Sequence, residues 1–109
     1  MIQQQVMRYR VRVARRGGLD ITAIAVWLQE RSPVAAVKWL DAVEVALASL
    51  AQRPQRCRLA PEAAHLGRPV RQLIVGKYRL LFVVDAEAVV VLHVRHGARR
   101  GWDGADQGP

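Results

Sequence analysis

Three apolar runs crowd the last third of the chain: Val70–Val75, Tyr78–Val84 and Val89–His96. Only Gly76-Lys77 separates the first two, and Asp85-Ala86-Glu87-Ala88 the others. A parallel return to a neighbouring strand needs a dozen or more residues, so gaps this short permit only antiparallel hairpins. Spacing alone therefore imposes a three-stranded meander. The last run is β-branched almost throughout, which places it centrally with both faces covered at least in part.

What precedes the meander must cover it. From Met7 to Val13, Tyr9, Val11 and Val13 alternate with Arg8, Arg10 and Arg12, and period-two alternation predicts a half-buried strand with one wet face. Gly17-Gly18 then reads as punctuation. Asp20 suits the N-cap of a short helix in which Ile21, Ile24 and Leu28, with Trp27 beside them, recur at helical spacing to about Arg31. Ser32-Pro33 restarts the helix with a hydroxyl at the N-cap and proline at the first position. Ala36, Trp39, Leu40, Val43, Leu47 and Leu50 mark its stripe, and Pro54 ends it. The tight Ser-Pro connection makes the two helices an antiparallel hairpin with Trp27 and Trp39 in the core.

Residues 53–69 carry Pro54, Pro61, Pro69 and Gly67, which predicts an ordered surface loop with one turn of helix around Glu62 to His65. Beyond Gly97 the chain is rich in Gly and Asp and reads as a frayed tail, so the compact part runs over about 7–99 and the tail over 100–109. The expected architecture is α+β: N-terminal strand, helical hairpin, then meander. The helices pack on one face of a four-stranded antiparallel sheet, leaving the other face open to solvent and rich in guanidinium groups.

A length of 109 residues allows one domain and excludes a barrel of alternating strands and helices or a full dinucleotide-binding fold. Lys and Arg number 17 against 9 Asp and Glu, a formal net charge of +8. Such a field attracts polyanions or an acidic protein partner, and 15 of the 17 cations are arginine, the side chain that grips phosphate or carboxylate with two N–H groups. Aromatic residues at 6% supply no interleaved platform for stacking single-stranded RNA. Cys57 is the single cysteine and reads as a small buried apolar residue in a reducing compartment. No apolar run approaches the roughly 20 residues that span a bilayer, and residues 1–5 lack the basic-then-apolar pattern of a secretory signal, so a cytoplasmic protein is expected. His65, His93 and His96 offer no metal-ligand spacing, and nothing in the pattern asks for a cofactor.

Several segments, in this order, resemble the toxins of the RelE/ParE superfamily. They are Asp20-Ile21-x-x-Ile24-x-x-Trp27-Leu28, Ser32-Pro33-x-Ala35-Ala36-x-x-Trp39, Val70-Arg71-x-Leu73-x-x-Gly76-x-Tyr78-Arg79-Leu80-Leu81-Phe82, and Val89-Val90-Val91-Leu92-x-Val94-x-His96-Gly97-Ala98-Arg99. The resemblance covers about Tyr9 to Arg99. It implies the toxin half of a type II toxin–antitoxin system associated with plasmid stabilisation. Such a toxin inhibits growth and is neutralised by a cognate antitoxin whose C-terminal segment folds on binding. It also implies one of two modes of action. RelE-like members cut mRNA on the ribosome, which needs a base, an acid and cations around the phosphorane. ParE-like members poison DNA gyrase and cleave nothing. The ending His96-Gly97-Ala98-Arg99 looks ParE-like, and the C-terminal tyrosine of some nucleases is missing, because Tyr9 and Tyr78 both lie in predicted strands.

Arg79 and His96 are the catalytic pair a RelE-like reading would require, Arg79 holding the phosphate and His96 acting as base. On a ParE-like reading Arg79 contacts a protein, and the row Arg8, Arg10 and Arg12 joins Arg71, Lys77, Arg79, Arg95 and Arg99 in a basic surface for antitoxin or nucleic acid. His93 is expected to be a sheet-surface residue.

Overall fold

A computed structural model describes residues 7–97. The elements are β1 (Arg10–Val13), α1 (Arg15–Arg31), α2 (Pro33–Ser49), a 3-10 turn (Pro54–Arg56), α3 (Glu62–Leu66), β2 (Arg71–Val75), β3 (Tyr78–Asp85) and β4 (Ala88–His96). The meander is as its spacing demands: β2 pairs antiparallel with β3, and β3 with β4. Gly76 at φ 61° and Ala86 at φ 53° supply the left-handed positions of the two hairpin turns. The sheet order is β1-β4-β3-β2, so the β-branched β4 is central.

The first strand departs from expectation in direction and length. β1 runs parallel to β4, with Val11 opposite Val89 and Val13 opposite Val91, so the sheet is mixed rather than antiparallel throughout. The short-loop rule never constrained this pair, because both helices intervene and carry the chain back across the sheet. Met7–Tyr9 fall outside the ladder. Arg8 bridges to Gln52, and the Tyr9 N–H donates to the Ala51 carbonyl at 2.8 Å.

The first helix begins five residues before Asp20, at Arg15, and runs through Gly17-Gly18. Helical glycine is costly by roughly 1 kcal/mol, but Gly17 has a positional reason. A Cβ there would lie 3.0 Å from the Val91 carbonyl oxygen and 3.1 Å from Val13 Cγ1, so only glycine lets α1 approach the β1–β4 ladder this closely. The Ser-Pro junction is as read: Ser32 Oγ accepts the Ala35 N–H at 3.2 Å, and Pro33 opens α2. Arg56 then reaches back to donate to the Gln52 and Arg53 carbonyls at 2.7 and 3.1 Å and to the carbonyl of Ser49, the last residue of α2, at 3.4 Å.

Two separate apolar clusters hold the layers together. On the helical face Ile24, Trp39, Val43 and Leu50 meet Leu80, Phe82, Val89, Val91 and Val94. On the other face Ala60, Ala63 and Val70 meet Leu81, Val83 and Val90. The sequence reading left that second face open to solvent; across β2, β3 and β4 it is covered instead. Residues 58–60 run along the outer edge of β2, with Gln72 N–H donating to Arg58 O at 3.0 Å and Ala60 N–H to Val70 O at 2.8 Å. α3 follows, and Ala60 and Ala63 pack against Leu81, Val83 and Val90 on this face. Segment 58–70 is a strap. Two members of the predicted helical core also sit elsewhere: Trp27 is 48% exposed, with the Arg31 guanidinium 3.7 Å from its ring centroid, and Leu40 is 41% exposed.

Candidate functional site

Alternation along β3 points Arg79 away from the helices and under the strap, where it is 2% exposed. Its two terminal nitrogens donate to both carboxylate oxygens of Glu62, at 3.0 and 2.7 Å, and one of them also meets Gln72 Oε1 at 3.0 Å. Taking a guanidinium and a carboxylate out of water costs several kcal/mol per ion, and the bidentate geometry offsets that. The pair locks α3 to the sheet. Arg79, expected on an open surface, is a buried ion-pair residue.

The ladder also separates the two residues of the expected catalytic pair. Arg79 faces Arg95 across the strands, whereas Tyr78 faces His96, and directly opposed residues share a face. Arg79 lies on the strap side and His96 on the helix side. There the His96 ring meets the Tyr78 ring edge-on at 5.4 Å between centroids, and Tyr78 in turn meets Trp39 at 5.3 Å. His96 is exposed at the end of β4. It borders a cleft of about 500 Å³ between α1 and the β3–β4 end, lined also by Ile24, Trp27, Tyr78 and His93.

A second buried polar centre joins α1 to β4. A β-bulge between Leu81/Phe82 and their partners His93/Val91 leaves Leu92 as the extra residue. Just beyond it the Val94 N–H faces the side that β1 does not reach, since the β1–β4 pairing ends at Val91. Asp20, fully buried in α1, takes that N–H on Oδ2 at 2.9 Å and bonds the His93 ring through Nδ1 with the same oxygen. Arg16 Nε lies 3.4 Å from Asp20 Oδ1, and Arg95 Nη1 lies 3.3 Å from His93 Nε2. A guanidinium can only donate, so in that contact His93 Nε2 is the acceptor. Asp20 is thus a buried plug for a strand edge rather than a helix cap, and His93, 1% exposed, is not a surface residue. The signal for both was present in sequence: Asp20 shares the helical spacing of Gly17, Ile24 and Leu28, and His93 interrupts an apolar run. Nothing in sequence paired Glu62 with Arg79.

The remaining basic residues do not form one surface. Arg8, Arg10 and Arg12 are exposed along the β1 edge, with Arg10 and Arg12 on the face opposite Val11 and Val13. Arg71 is half-buried and bound to the 3-10 turn that precedes the strap, donating to the Cys57 and Gln55 carbonyls at 2.7 and 3.3 Å. Lys77 is exposed in the β2–β3 turn, where its carbonyl accepts the Gly97 N–H at 2.6 Å. Arg95 is half-buried beside His93. Arg99 and the expected tail lie outside the described residues. Among those residues no cluster of three or more His, Cys, Asp or Glu side chains could hold a metal ion, and no helix is long and apolar enough to cross a membrane.

The model of the ParE toxin of the type II toxin–antitoxin system parDE matches residues 6–101. The chain belongs to the ParE toxin family. Within the wider RelE/ParE superfamily, it is 36% identical over 93 residues to Toxin RelE1 of Caulobacter vibrioides, covering 84% of this chain and 96% of that protein. The fold is that of the chromosomal ParDE system from P. aeruginosa, at TM-score 0.66 and 17% identity over 83% of this chain and 97% of that one. The toxin–antitoxin complex RelBE2 from Mycobacterium tuberculosis gives TM-score 0.56 at 26% identity, covering 89% of this chain and all of that one. This ParE-family chain is a type II toxin–antitoxin toxin.

Proposed function

We propose that this toxin stops growth by binding DNA gyrase rather than by cutting message, and that a cognate antitoxin neutralises it in the cytoplasm. The observation that carries the reading is the separation of Arg79 from His96. A phosphate-holding cation and a general base must converge within hydrogen-bond reach of one substrate, and these two lie on opposite sheet faces with Arg79 already bound to Glu62. A protein-binding toxin needs no such convergence. The antitoxin partner is supported by the family match and by solved relatives described as a ParDE system and a RelBE2 complex. A net charge of +8 favours an acidic partner segment that orders as it binds, and the arginines of the β1 edge are where it would meet the most exposed charge.

One observation favours a second reading, a ribosome-dependent endonuclease: His96 and Tyr78 stand together at the rim of the α1–β4 cleft. Expression from a tight promoter, followed by primer extension on translated message and a supercoiling assay with purified toxin, separates the two. The gyrase reading expects growth arrest, intact message, inhibited supercoiling and rescue by the antitoxin. Codon-register cuts that vanish in His96→Ala would replace it with the nuclease.

A further inference from the structure

The outer face of α2 carries a pattern that neither the core nor the charge of the molecule explains. Val34, Val37 and Val45 are 64%, 58% and 70% exposed, on the side of the helix opposite the buried Ala36, Trp39 and Val43. Exposed β-branched residues weaken a helix without contributing to a core, and the three on this outward stripe are apolar area that no described part of the chain covers. The same stripe holds Lys38, Asp41 and Glu44, all exposed and, among the described residues, in no ion pair within the chain. α2 has no arginine at all, one lysine and two acids, in a chain of net charge +8. Along this helix two copies would meet with little of the chain's cationic repulsion.

We propose that α2 is a self-association surface, with a second copy of this chain packed antiparallel across it. The stripe is self-complementary under a two-fold axis. Laying Val34 of one copy over Val45 of the other brings Lys38 against Asp41, and symmetry repeats both contacts. A nucleic acid is disfavoured because the stripe is apolar with one cation. An acidic antitoxin segment is served better by the arginine-bearing faces. A helix of 17 residues is only about 25 Å long, and one such face falls short of the roughly 800 Å² per partner of a standard interface, so the dimer is concentration-dependent. This inference does not rest on the gyrase reading.

Sedimentation equilibrium of the purified full chain over a wide concentration range tests it. The expected result is a reversible monomer–dimer transition. Val45→Glu should abolish it with the circular dichroism unchanged. Lys38→Glu should weaken it by about tenfold through like charges at the contact, and adding Asp41→Lys to that variant should restore it. Monomer mass at every concentration would overturn the proposal. So would a dimer indifferent to both single substitutions, or one that the charge-swapped double variant fails to recover.

Discussion

The two faces of the sheet are closed by unlike means. The helical face is covered by two long helices that bury large aliphatic and aromatic side chains. The other is covered by a strap whose apolar contribution is mainly alanine and valine and whose centre is one ion pair. Stability on the first face comes from apolar area, roughly 25 cal/mol per Å² removed from water. On the second it depends on the geometry of two charged groups, so a small disturbance there removes most of the closure. The fold therefore gives way first at the strap. Opening the strap uncovers Arg79 and the Leu81–Val83–Val90 patch while the helix–sheet core stays intact.

The largest loss is expected on the helical face. Phe82→Ala, at a position fully buried among α1, α2 and β4 residues, should lower the unfolding free energy by about 4 kcal/mol in urea titration. Glu62→Ala leaves Arg79 buried and unpaired by its carboxylate and should cost about 3 kcal/mol. The sharper form is the double variant Glu62→Leu with Arg79→Met, which should recover most of that loss. If the single change costs under about 1 kcal/mol, the guanidinium has found water and the strap is not held by the pair. Hydrogen exchange in Glu62→Ala should rise in 58–70 well before β3 and β4.

Smaller effects probe how the helical face is positioned rather than filled. Gly17→Ala pushes a methyl group against the Val91 backbone oxygen, 3.0 Å away, which cannot rotate aside. A loss of about 2 kcal/mol is expected, against the gain a helical Gly→Ala exchange normally brings. Ser32→Ala removes the α2 cap and should cost about 1 kcal/mol, read as a shift in the thermal midpoint.

Most of the topology was legible because short loops and caps are local physics. The meander follows from two gaps, and the helix break follows from Ser32-Pro33. What was illegible was non-local. The parallel β1–β4 pairing depends on how the helical pair returns the chain, which no local pattern records. Gly17-Gly18 looked like a loop because a close helix–sheet approach and a turn ask for the same residue. Arg79 was recognised as a position of consequence, but its partner lies 17 residues earlier in a stretch with no period, so its burial could not be read. Asp20 and His93 were assigned local roles, a cap and a wet strand residue, for the same reason: their meeting is made by the bulge.

The interior place of β4 has a consequence for synthesis. Of the four described strands, β4 is the last along the chain and the one that must slot between β1 and β3, so until it is made both neighbours have an unfilled edge and neither apolar layer is complete. A chain stalled or clipped ahead of residue 88 keeps only the β2–β3 hairpin and leaves β1 with no strand to pair with. The folded toxin therefore cannot form before β4 has been made.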